Sequence, residues 1–163
     1  MHIKLYKTIM KNYPWLKKQY LNIVKKYINK KLHPIILLHA YPGMGVSRLT
    51  YKASQWLLCL KKNQLHACKK CTSCILFKKR NHPDFYQKDH DKIKKKISID
   101  DIRKIIINIQ KTSQQGGLKI VYLKKIQNIT IEVNNALLKT LEEPPKNTLF
   151  FYLPIIWKKF ITH

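Results

Sequence analysis

Hydrophobic and polar positions repeat at helical spacing near the start of the chain. Trp15, Leu16, Tyr20, Ile23, Val24, Tyr27 and Ile28 recur every three or four residues among lysines. The spacing predicts a basic helix within residues 1–33, with Pro14 in its first turn. His33-Pro34 breaks it, and the period then changes. Ile35-Ile36-Leu37-Leu38-His39 is short, apolar and β-branched, so it reads as a buried strand. Ala40-Tyr41-Pro42-Gly43-Met44-Gly45 must be a tight loop. A helix is expected from Val46 to Leu60, with Leu49, Ala53, Trp56, Leu57 and Leu60 on one side.

Residues 61–82 are polar and carry no clear period. Asp84 to Gln87 is a short strand candidate, and residues 88–97 read as a Lys/Asp loop. Ser98-Ile99-Asp100-Asp101 resembles a capping box. The helix it starts turns Ile102, Ile105, Ile106 and Ile109 inward and ends before Gly116-Gly117. Lys119 to Leu123 is a second buried-type strand. Thr130 is a candidate cap for a helix containing Ala136, Leu137, Leu138 and Leu141, which Pro144-Pro145 terminates. Thr148 to Leu153 is the last strand. Strands alternating with helices predict an α/β domain with a mainly parallel sheet. Such sheets bind ligands where the first strand runs into a helix.

The length of 163 residues allows one domain, and 45% hydrophobic residues allow a core. Apolar runs such as Ile35 to Leu38 and Leu149 to Leu153 fall far short of the roughly 20 residues that span a bilayer. Lysines break up the first 30 residues, so no secretory leader is expected. These features exclude membrane, secreted and collagen-like classes and predict a cytoplasmic protein. The net charge of +25 fits an anionic partner such as nucleic acid. It also fits AT-rich codon drift, because Lys occurs 30 times against 3 Arg, and Ile 22 times against 4 Ala. Drift is the favoured reading, since phosphate grips usually employ Arg.

The loop at 40–47 has the frame of a phosphate loop without its chemistry. A working loop reads G-x-x-x-x-G-K-[ST] between strand and helix. Here Gly43 and Gly45 keep the turn and Ser47 keeps the hydroxyl, but Val46 stands where the lysine belongs. Arg48 is one residue late, which turns it by about 100° on a helix. The strand best placed to end in metal-holding acids runs instead into Lys124-Lys125. Neither ATP binding nor ATP hydrolysis is expected. Nothing resembles the clustered carboxylates of a polymerase site either.

Cys59, Cys68, Cys71 and Cys74 are spaced C-x8-C-x2-C-x2-C. Four thiolates make a closed tetrahedral shell, the usual pattern for structural zinc. An iron–sulfur cluster, two disulfides and four free thiols are the less favoured alternatives. His66 and His82 flank the group, but four cysteines already fill the shell.

Several strings together resemble one family. They are Tyr13-Pro14-Trp15-Leu16, His33-Pro34, Pro42-Gly43-Met44-Gly45, the cysteine spacing, His82-Pro83-Asp84-Phe85-Tyr86, and Ala136-Leu137-Leu138-Lys139-Thr140-Leu141-Glu142-Glu143-Pro144-Pro145. The chain is similar to the delta prime subunits of bacterial DNA polymerase III, from about Tyr13 to Leu153. The resemblance implies a P-loop NTPase fold of the AAA+ type, a three-layer αβα sandwich with a small four-cysteine zinc insert at about 59–82. It implies a basic helical segment at 1–33 packing on an AAA+-like domain at 34–153, followed by a short tail at 154–163. It also implies a non-catalytic clamp-loader subunit whose partners are the tau/gamma ATPase and delta subunits. Through that complex it would meet the sliding clamp and primed DNA. The family's lid, collar and Ser-Arg-Cys string have no counterpart here, so a shortened subunit is expected. The alternatives are a general DNA-binding module and a decayed remnant.

Overall fold

The computed structural model describes residues 13–41, 43–89, 98–124 and 131–153. They form two compact units, the first from the described parts of Met1–His33 and Tyr41–His82, the second from those of Pro34–Ala40 and Pro83–His163.

The first unit is helical. Helix α1 (Trp15–Ile28) buries Leu16, Tyr20, Ile23 and Val24, the stripe that the apolar spacing predicts. Trp15 and Ile28, at its ends, are exposed. Lys25 and Lys26 lie in its last turn, where the helix dipole favours cations. Helix α2 (Val46–Leu58) stops two residues before the predicted end, because Cys59 is extended. Leu60 is therefore exposed rather than part of the buried side. Helix α3 (Thr72–Lys78) was not expected from the polar stretch around it.

The second unit carries the sheet. Its strands are β1 (Ile35–Leu37), β2 (Phe85–Asp89), β3 (Lys119–Lys124) and β4 (Thr148–Leu153), all parallel, in the order β1-β4-β3-β2. Helix α4 (Ile99–Gln110) links β2 to β3, and helix α5 (Ile131–Glu142) links β3 to β4. Ser98 caps α4 as expected, its Oγ accepting from the Asp101 N–H at 3.1 Å. Thr130, the expected cap of α5, and the 90–97 loop lie outside the described residues.

Register explains the core. Tyr86 pairs with Val121, Val121 with Phe150, and Phe150 with Ile35, so one row of side chains crosses the whole sheet on one face. Ile102, Ile105 and Ile109 of α4 and Val133 and Leu137 of α5 pack on that face, with Leu123 in the next row. Ile120, Leu149 and Phe151, of opposite parity, are buried as well. Both faces of β3 and β4 are thus apolar, as parallel strands require.

The expectation of a buried first strand needs correction. β1 spans only three residues, and Leu37 is 62% exposed. The reason is position: among the described residues β1 pairs on one side only, with β4. No helix among the described residues is long and apolar enough to cross a membrane.

Candidate metal centre and degenerate phosphate loop

The phosphate-loop frame is preserved as backbone. Gly43 and Gly45 have φ of +89° and +77°, a region costly for any L side chain. The Gly45 carbonyl accepts from the Arg48 and Leu49 N–H groups and starts α2, with Val46 as its first residue. Pro42 lies outside the described residues. Ser47 is half-buried at the start of α2. Lys124 ends β3, while Lys125 is not among the described residues.

The chain itself occupies this loop. A Cβ on Gly45 would lie 2.8 Å from Cδ1 of Tyr13, so the tyrosine ring rests directly on the glycine. The Trp15 indole Nε1–H donates to the Met44 carbonyl at 3.2 Å. The rings of Tyr13 and Trp15 meet edge to face at 5.5 Å, and the Arg48 guanidinium stands 5.5 Å from the Tyr13 ring centroid. In the sequence Tyr13-Pro14-Trp15 reads as a helix start and as part of a family string. The available signal was aromatic residues close ahead of a helix, which does not show what they touch.

This contact makes a prediction. Gly45→Ala should cost about 2 kcal/mol, part from the positive φ and part from the displaced Tyr13 ring. In a Tyr13→Ala background the ring part disappears, so urea titrations of the double-mutant cycle should show coupling of about 1 kcal/mol. Additive losses would mean that the ring does not rest on Gly45.

The four cysteines come from three places. Cys59 follows α2, Cys68 and Cys71 sit in the next loop, and Cys74 lies in the first turn of α3, which Cys71 caps. Their four Sγ atoms all lie within 4.8 Å of one another, and Cys59 and Cys71 are 3.9 Å apart. A tetrahedron of sulfurs at about 2.3 Å from zinc has edges of about 3.8 Å. The donor set therefore fits a zinc ion and is too tight for a multi-iron cluster. All four are free thiols. Lys69, with φ of +61°, makes the sharp turn between Cys68 and Cys71.

Backbone amides aim at the sulfurs. The Cys68 N–H donates to Cys59 Sγ at 3.2 Å, and the Cys71 N–H to Cys68 Sγ at 3.3 Å. Burial opposes ionisation of Cys71. The N–H groups of Cys74 and Leu60 and the bonds to Cys68 and Cys74 outweigh it and bring that thiol down to about 6. Cys68 shifts the same way. Burial and neighbouring thiols hold Cys59 and Cys74 above the ordinary range.

A network of polar contacts steadies the loop. The Tyr20 hydroxyl donates to the Leu65 carbonyl at 2.8 Å, and the Trp56 indole to the Asn63 carbonyl at 3.0 Å. Ser73, buried, lies 2.7 Å from the Leu58 carbonyl and 2.8 Å from His82 Nε2. Serine has one proton and a carbonyl only accepts, so His82 donates from Nε2. His82 is thus a buried brace and lies outside the thiol cluster. Burial and, after it, the charges of Lys52 and Lys69 lower His66.

A family profile described as "DNA polymerase III, delta subunit" matches residues 15–158, which include both the loop and the cysteines. DNA polymerase III subunit delta' of Buchnera aphidicola from Acyrthosiphon pisum is 46% identical over 142 residues, 87% of this chain and 43% of that protein. The delta' subunit of Escherichia coli K12 is 36% identical over 142 residues, 87% of this chain and 42% of its own length. A gamma subunit of DNA polymerase III, from Buchnera aphidicola of Schizaphis graminum, is 30% identical over 120 residues, 74% of this chain and 32% of that protein. The chain spans less than half the length of these relatives. The chain belongs to the DNA polymerase III delta-subunit family.

Proposed function

We propose that this chain works in DNA replication as a non-catalytic clamp-loader subunit of the DNA polymerase III holoenzyme. Residues 34–153 serve as its AAA+-like domain, built on the parallel sheet, and residues 1–33 as its basic N-terminal segment. The observation that carries the reading is the loop at 43–47. It keeps the backbone of a phosphate site while Val46 replaces the lysine and Tyr13 covers Gly45. The lysine that would grip a nucleotide's phosphates is missing and Tyr13 lies against the loop, which supports bracing rather than hydrolysis. Polymerase chemistry belongs to other subunits of the holoenzyme. Cys59, Cys68, Cys71 and Cys74 hold a structural zinc, which ties the end of α2 to α3 and leaves no position open for substrate.

In this reading the direct partners are the tau/gamma ATPase and delta subunits, and the sliding clamp and primed DNA are reached through them in the cytoplasm. The test is co-purification with the matching gamma and delta subunits at low and moderate salt, alongside a titration with labelled ATP. Retention at moderate salt with no ATP bound at millimolar concentration is expected. Release of the chain at moderate salt would overturn the bracing role. ATP binding that Ser47→Ala abolished would overturn the degenerate loop.

A further inference from the structure

The first unit contains no acidic residue at all. The first 83 positions hold 16 Lys and 2 Arg, and the eight Asp and Glu of the chain all fall between Asp84 and Glu143. Codon drift toward A and T explains Lys in place of Arg. It does not explain this gap, because Asp and Glu codons tolerate the same bias and are used freely after position 83. Uncompensated like charge also opposes compaction.

The cations are interleaved with aromatic rings. Arg48, exposed, and Lys52, half-buried, lie about 6 Å apart along α2, one turn from each other. Tyr51 lies beside them, 39% exposed, with its ring packed at 4.6 Å on Phe77 and its hydroxyl in the field of Arg80. Lys69 is close enough for its charge to act on Lys52. At the other end Arg48 stands over Tyr13, whose ring meets the 47% exposed Trp15. We propose that this face of the first unit binds single-stranded nucleic acid. Phosphates lie on Arg48, Lys52, Lys69 and Arg80, and bases stack on Tyr51 and Trp15. Ring faces are of use only against unstacked bases, which favours a single strand over a duplex, and a lipid surface would need a wide apolar face instead. This goes beyond the clamp-loader reading and stands on the unit's own charges and rings, so loss of strand binding would leave that reading intact.

The test is fluorescence anisotropy of the full chain with oligo-dT, oligo-U and a duplex, each of about 16 nucleotides. The charge variant is Arg48→Gln/Lys52→Gln/Lys69→Gln. The control is Lys104→Gln/Lys139→Gln/Lys146→Gln, three exposed lysines of the second unit. The first triple is expected to weaken single-strand binding at least tenfold and to reduce the salt slope by about 2, with the control near the parent. Tyr51→Leu, which keeps all charges, should weaken it about tenfold with the slope unchanged. Binding of either oligo-dT or oligo-U supports the proposal, and their ratio assigns the sugar. Equal losses from the two triples, a duplex bound as tightly at about 0.15 M salt, or an unaffected Tyr51→Leu variant would each overturn it.

Discussion

Cys71→Ser is expected to abolish the proposed zinc binding of the purified chain and unfold the segment around it, leaving the sheet intact. Structural zinc contributes about 10–16 kcal/mol of apparent binding energy in small domains, most of it as folding energy. The insert here has little else to hold it. Residues 59–71 contain no helix, and α3 has only seven residues. Cys71 is central: it caps α3, receives amide bonds, and lies 3.9 Å from Cys59 across the cluster. Serine keeps the shape but is a poor zinc ligand. Zinc content should fall from about one per chain to near zero after mild chelation that spares the parent. Amides at 59–78 should then exchange freely, while those of β3 and β4 stay protected, since the core that α4 and α5 build on the sheet contains no insert residue. Unchanged zinc content would show that the ligand set is wrong.

Much of this fold is legible in the residues. Thr148–Leu153 is a strand with the bounds its apolar run predicts, because a central parallel strand is buried on both faces and leaves a continuous signal. Ser98 caps α4 for the local reason visible in Ser98-Ile99-Asp100-Asp101. The cysteine spacing anticipates the cluster, because short spacings restrict where the sulfurs can go. What stays hidden depends on tertiary neighbours. α3 has two turns, too few for a period to appear, and its helix is set by a capping cysteine and the buried Phe77. Leu37 is exposed because of strand order, which no local pattern encodes. The contact of Tyr13 with Gly45 joins residues 32 positions apart, and the glycine was legible only as a turn.

The cysteine cluster and the loop concern the first unit alone. In the second unit, the substitution expected to do most harm is Asp84→Ala, at a residue that reads in sequence as the start of a short strand and as part of a family string. Its carboxylate is buried and accepts three bonds of 2.9 Å, from the Ser113 hydroxyl and the Gln114 and Gln115 N–H groups. Its carbonyl accepts from the Ile120 N–H, and Ser113 Oγ in turn accepts from Gly117. One side chain therefore shapes the whole turn between α4 and β3. From the other side the buried Lys119 ammonium donates to the Ile109 and Lys111 carbonyls and closes the end of α4. Alanine would leave three part-buried donors without their acceptor. The expected loss is about 4 kcal/mol, a large part of the 5–15 kcal/mol that a domain has in total. Asp84→Asn keeps one acceptor oxygen and should lose about half as much. Urea unfolding should show the midpoint falling in the order parent, Asn, Ala at constant slope. An alanine variant within about 1 kcal/mol of the parent would mean that water can replace the carboxylate. The turn between α4 and β3 would then be held by Lys119 and the backbone.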